Sequence, residues 1–165
     1  MRAYFADAAA GVEAVTALLR ARIVPATMEL IDRESLAAVA AYRQADLAPA
    51  GSGSALLVEV DGDTEVVADQ AQRVERVCAA AGALGVARAI DAAERERLWS
   101  LRRDVSPALK LVTDRKLNND VVVPRARVPH LLALAERLGR VHRLRIACFG
   151  HAGDGNIHVN VLLDA

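Results

Sequence analysis

Two histidines dominate the chemistry at the end of this chain. His151 and His158 flank a GDGN turn in the stretch CFGHAGDGNIHVNVLLDA, residues 148–165. Along an extended strand, Asn156, His158 and Asn160 point one way and Ile157, Val159, Val161 and Leu163 the other. One face is therefore apolar core, and the other is a row of amide, imidazole and amide. Gly153 and Gly155 permit positive φ and a tight hairpin, which folds His151 back toward the strand of His158. Two imidazoles on adjacent strands can share a divalent transition metal, normally with a carboxylate as third protein ligand. Asp154 either orients a histidine or closes an Asx-turn. Each histidine taken singly reads first as an ordinary polar residue. The pair, the turn and the asparagine row together point to a metal or ligand site.

A second group lies upstream. Arg102 and Ser106 stand four residues apart and share a helix face, with Arg103 beside them. Lys116, Asn118 and Asp120 alternate along the following strand and share its face. An arginine, a hydroxyl and a lysine that converge suit a carboxylate, which a guanidinium binds in a bidentate way. By itself, ERERLWSLRRD reads better as a solvated helix with routine charges.

The elements that must position these residues follow from periodicity and punctuation. Strands are expected at 2–6, 55–62, 86–90, 114–124, 144–150 and 156–163, with an extended segment over 23–31. Helices are expected at 8–22, 32–44, from Val67 to Leu84, at 91–110 until Pro107 interferes, and at 127–142. Residues 45–54, ADLAPAGSGS, form a loop. The pattern suits an α+β fold: ferredoxin-like antiparallel sheets covered by helices, on one face, in a single domain over 1–165.

Composition narrows the field. The chain has 165 residues, is 53% hydrophobic, and carries 21 basic and 21 acidic residues. A formal net charge of zero argues against nucleic acid and membrane surfaces as partners. Aromatic residues are too few for a stacking platform. Cys78 and Cys148 lie far apart and read as buried hydrophobes in a reducing, cytoplasmic compartment. No apolar run approaches the roughly 18 residues of a membrane span, and MRAYFADAAAG is no signal peptide. Strands that reach both termini suggest a piece of a longer chain.

These segments together resemble a known family. FGHAGDGNIHVNV resembles the G-H-x-G-D-G-N-x-H-x-N signature of the FAD-linked oxidase C-terminal domain. This is the cap, or substrate, domain of flavoproteins such as the glycolate oxidase FAD subunit, D-lactate dehydrogenase and D-2-hydroxyglutarate dehydrogenase. IVPATMELIDRESL is similar to the family's P-x-x-x-E-x-x-D segment, LWSLRRDVSPAL to its L-W-x-x-R helix, and NNDVVVPRARVPHLL to its D-V-x-V-P segment. The matches run from about residue 2 to 163, nearly the whole chain.

The resemblance implies a cap that closes over FAD, with the flavin held mainly by a separate N-terminal domain that is absent here. By that likeness His151 and His158 would bind a zinc-like ion that polarises the 2-hydroxy group of a small 2-hydroxy acid. Asn156 and Asn160 would line the site near the cofactor. Arg102 would hold the substrate carboxylate, helped by Ser106. Some relatives place a lysine where this chain has Asn118, and Lys116, two residues earlier, keeps the strand parity and would substitute. The family's third metal ligand is a glutamate well beyond the second histidine, so a chain ending at Ala165 is expected to hold an incomplete site and to be inactive alone. Loss of the flavin domain would also expose a face suited to self-association. Two other classes remain: a stand-alone ferredoxin-like module that binds a small regulatory molecule, and a histidine-triad-like nucleotide hydrolase. The second is weakened by Asn160 and Leu162, where alternating histidines would be required.

Overall fold

The computed structural model describes residues 1–113 and 115–163. The elements run β1 (Arg2–Phe5), α1 (Ala8–Arg20), β2 (Thr27–Asp32), α2 (Arg33–Arg43), β3 (Ser54–Glu59), α3 (Thr64–Ala80), β4 (Gly85–Ala87), α4 (Ala92–Leu111), β5 (Arg115–Val122), α5 (Val128–His142), β6 (Arg145–His151) and β7 (Asn156–Leu163). The first residue of the strand expected over 114–124, and the last two of the chain, lie outside the described residues.

Local chemistry starts three of the helices. Asp7, Asp32 and Asp91 each accept a backbone N–H from the first turn of the helix that follows: Ala10 at 2.8 Å, Ser35 at 2.9 Å and Glu94 at 2.7 Å. A side-chain acceptor at this position satisfies a donor the helix cannot pair itself. Pro107 does not end α4, contrary to expectation; the helix runs through it to Leu111. Leu101, Val105, Ala108 and Leu109 are buried on both sides of the proline, so packing holds the helix where the missing N–H would break it.

All seven strands form one antiparallel sheet in the order β4-β1-β3-β2-β6-β7-β5. β1 and β2 both pair with β3 and so run parallel to each other, linked by α1. With β4 outside β1, this is the ferredoxin-like arrangement, with α2 added between β2 and β3. The second half repeats the split unit: β5 and β6 both pair with β7, and α5 links them. β6 joins β2, so the two units share one sheet.

The α+β class and ferredoxin-like pattern expected from the sequence hold, but helices cover both faces rather than one. Ala3, Phe5, Met28, Leu30, Leu56, Val58, Cys148 and Ile157 pack against α1, α3 and α5. Tyr4, Ile31, Ala55, Leu57, Ala147, Phe149 and Leu162 pack against α2 and α4. Strand β3 shows the reason. Ser54 to Val58 are all buried, and a near-continuous apolar run needs cover on both sides.

Asp32 locks the joint between the two units. One carboxylate oxygen caps α2, and the other accepts the Cys148 N–H at 2.7 Å, one residue beyond the Ile31–Phe149 pair of β2 and β6. Burial of this carboxyl pushes its pKa from 3.8 to about 6. The folded chain then holds the proton more tightly than the unfolded one. The group's contribution to stability is greatest at low pH and is lost as pH rises through the window from 3.8 to about 6. Thermal unfolding of the wild type and Asp32→Asn across that range is expected to show their stability difference moving against the wild type up to about pH 6 and levelling above it; a difference independent of pH contradicts the assignment.

Candidate active site

The polar row foreseen on β7 lies on the α2/α4 face of the sheet. Register puts Asn156 opposite His151, His158 opposite Phe149, and Asn160 opposite Ala147. On the other side of β7, Asn118 meets Asn160 and Asp120 meets His158. On the other side of β6, His151 meets Glu29 of β2. Helix α4 lies over this surface and presents Arg95, Trp99, Arg102 and Ser106, spaced along one flank.

The centre of the cluster is Glu29, only 2% exposed. Its Oε2 accepts from Arg102 Nε at 2.6 Å, and its Oε1 pairs with His151 Nδ1. The Arg102 guanidinium also lies over the Phe149 ring, 4.7 Å from its centroid. Phe149 in turn packs on His158 at 5.1 Å between centroids, and the two histidine rings stand edge to face at 5.7 Å. His158 Nδ1 pairs with Asp120 Oδ1 at 2.5 Å. That bond, ahead of other causes, holds the Asp120 carboxyl below the usual carboxylate range. Neighbouring Glu59 on β3 accepts Trp99 Nε1 at 2.6 Å and an Arg95 nitrogen at 2.6 Å, fixing the start of α4 to the same sheet face.

Each imidazole therefore has its Nδ1 on a carboxylate, and neither Nε2 has a hydrogen-bond partner among the described residues. A carboxylate on one nitrogen fixes the tautomer and leaves the other nitrogen as an electron-pair donor. Arg102 uses Nε, so its two terminal nitrogens stay unpaired among the described residues. That edge is the one that grips a carboxylate or a similar planar anion.

The structure brings Arg102, His151, His158 and Asn118 into one cluster through Glu29, Phe149 and Asp120. Asn160 is fully buried beneath them; its amide nitrogen reaches Ala147 O at 3.4 Å, and its Oδ1 has no partner among the described residues. Asn156 sits at the hairpin end of the row, beside His151. Ser106 lies one turn beyond Arg102 and makes no hydrogen bond to the cluster among the described residues. Lys116 holds the expected parity on β5, opposite Leu162, and makes no ion pair among the described residues. Burial, then the charge of Lys110, lowers its pKa.

Three expectations change. Asp154 bonds neither histidine among the described residues; Glu29 and Asp120 do that work. Gly153 is not at positive φ and instead packs on Met28, whereas Gly150 and Gly155 carry φ of 147° and 80°. No set of three His, Cys, Asp or Glu side chains forms a metal-binding group among the described residues, so the two histidines fit half of such a site and no step is assigned to a metal. Glu29 is not among the site residues expected from the sequence, although a carboxylate flanked by the apolar residues of MELI was its signal.

The sequence model of the family "FAD linked oxidases, C-terminal domain" matches residues 1–165, and the chain belongs to that family. It is 31% identical over 158 residues to glycolate oxidase subunit GlcD of Bacillus subtilis (strain 168), covering 96% of this chain and 33% of that protein. Against glycolate oxidase subunit GlcD of Escherichia coli (strain K12) the identity is 35% over 143 residues, covering 87% and 28%. D-lactate dehydrogenase of Anaerostipes hadrus is 32% identical over 108 residues, 65% of this chain. The chain thus spans about a third of the length of the relatives it matches. An alkyldihydroxyacetonephosphate synthase structure aligns over 97% of this chain and 35% of its own with a TM-score of 0.65 at 14% identity, a likeness of fold.

The hairpin that joins the histidines depends on Gly155. A Cβ there would stand 2.0 Å from the Val123 carbonyl oxygen, at a φ of 80°. Gly155→Ala is expected to cost about 2–3 kcal/mol in chemical denaturation, from strain and the close approach together. A loss below about 0.5 kcal/mol, the range of neutral surface changes, would show that the turn relaxes freely.

Proposed function

We propose that the chain is the substrate-side cap of an FAD-dependent 2-hydroxy acid oxidoreductase of the glycolate oxidase kind, with the flavin held mainly by an N-terminal domain outside this sequence. The observation that carries the reading is the terminal edge of Arg102, unpaired among the described residues, beside two imidazoles that offer Nε2. A 2-hydroxy acid has the complementary pair of groups, a carboxylate and an adjacent hydroxyl. In this reading Arg102 takes the carboxylate, with Ser106 and Lys116 beside it and Asn118 on the same β5 face. His151 and His158 face the hydroxyl, and Nε2 of one of them accepts its single proton as the hydride leaves C2. Asn156 stands on the side toward the cofactor, and the buried Asn160 backs that side from beneath. When bound, FAD supplies the acceptor for the hydride that leaves the substrate C2. The protein's part is to orient the acid and to keep water from the reacting carbon.

Relatives about three times as long support a missing flavin domain. No described helix is long and apolar enough to cross a membrane. Two free, buried thiols, Cys78 and Cys148, support a reducing cytoplasmic setting. The exposed edge strand β5 is the face this reading offers for self-association in the absence of its partner domain.

Two experiments test the proposal. Glycolate, D-lactate and D-2-hydroxyglutarate added to the 165-residue chain are expected to shift NMR signals around Arg102 and the two histidines, and Arg102→Ala is expected to abolish those shifts. Shifts centred elsewhere would favour an independent ligand-binding module. The same chain is expected to reduce no dye with any of the three acids, and flavin-free turnover would overturn the division of labour. Zinc calorimetry is expected to give an affinity weaker than nanomolar, because two imidazoles lack a third ligand; nanomolar binding would mean that this chain completes a metal site.

A further inference from the structure

Glu29 is the one carboxylate that touches both halves of the site. Its residue is 2% exposed, and both oxygens are committed: Oε2 to Arg102 Nε, Oε1 to His151 Nδ1. It reaches them because β2 lies between β3 and β6, with Glu29 paired to Leu57 on one side and His151 on the other. Met28 and Leu30, its neighbours on the strand, point into the opposite core.

We propose that Glu29 is the positioning residue of this site: one buried carboxylate fixes both the edge that Arg102 presents to an anion and the ring nitrogen that His151 presents to the cleft. The chemistry is set by what each partner has left. A guanidinium held at Nε can rotate little about its long side chain, and its terminal nitrogens then face one direction. An imidazole that donates Nδ1–H to a carboxylate keeps its lone pair on Nε2. The carboxylate offers each donor its own acceptor oxygen. A glutamine of the same shape has one acceptor oxygen, and its amide N–H groups oppose the other donor. The roles of Arg102 and His151 toward a hydroxy acid rest on the function proposed above; the coupling through Glu29 rests on geometry alone.

The test reads that coupling without any substrate. Nitrogen-detected NMR of the 165-residue chain at about pH 8 gives the ring nitrogen of His151 that carries hydrogen and the solvent exchange of Arg102 Nε–H. In the wild type, His151 is expected to carry its proton on Nδ1 alone, and Arg102 Nε–H is expected to be protected. In Glu29→Gln one of the two signatures is expected to be lost, because an amide NH2 then stands where one of the two acceptor oxygens stood. A wild-type ring protonated on Nε2, or a Glu29→Gln chain that keeps both signatures, overturns the proposal. If Glu29→Gln does not fold, the wild-type spectrum still decides it, together with His151→Gln, in which Arg102 Nε–H is expected to stay protected. Failure of hydroxy acids to shift any signal would count against the proposed function and leave this result standing.

Discussion

A carboxylate in the middle of a buried strand constrains everything packed on it. Glu29 sits between Met28 and Leu30 in the sheet, and an unmatched charge at that depth would cost several kcal/mol. Arg102 must therefore come down from α4, and His151 must arrive from β6. A slip of one residue between β2 and its neighbours would turn Glu29 into the apolar core under α1 and set Leu30 against Arg102 and His151 in its place. The same contact thus selects the register of the sheet, the seat of α4 and the orientation of two reactive side chains.

Other contacts divide the work of holding α4. Glu59 fixes its first turns through Arg95 and Trp99, and Arg43 of α2 reaches both Ser100 and Asp104. Between these polar anchors, Leu101, Val105, Ala108 and Leu109 pack into the core on this face. The helix is held along its whole length, which explains its passage through Pro107. Asp32 does a comparable task at the seam of the two β-α-β units, where its carboxylate binds α2 and β6 together. Family membership accords with this plan, since the segments that resemble the family are those that carry Glu29, Asp32, Arg102, Asp120 and the histidine hairpin.

The legible features were local ones. Helix starts near residues 8, 32 and 91, the alternation along β7, the shared face of Lys116, Asn118 and Asp120, and the hairpin around Gly155 all follow from short-range geometry. Two-sided burial was harder to see, because short strands such as AYF and ALLV look alike whether one face or both are covered. The clue was their unbroken apolar character. Gly153 was misjudged because either glycine of GDGN could have supplied the left-handed residue, and the contact with Met28 assigned it to Gly155.

The sequence by itself determined the α+β class, the family, the histidine pair and the arginine helix, since each is written in residues that lie close together. Only the tertiary structure decided which groups meet. Glu29 is 73 residues from Arg102 and 122 from His151, and Asp120 is 38 from His158. Their pairing depends on the strand order β3-β2-β6-β7-β5, which places distant segments side by side. No spacing along the chain encodes that order. It emerges from covering both faces of one sheet while leaving no buried carboxylate without a donor.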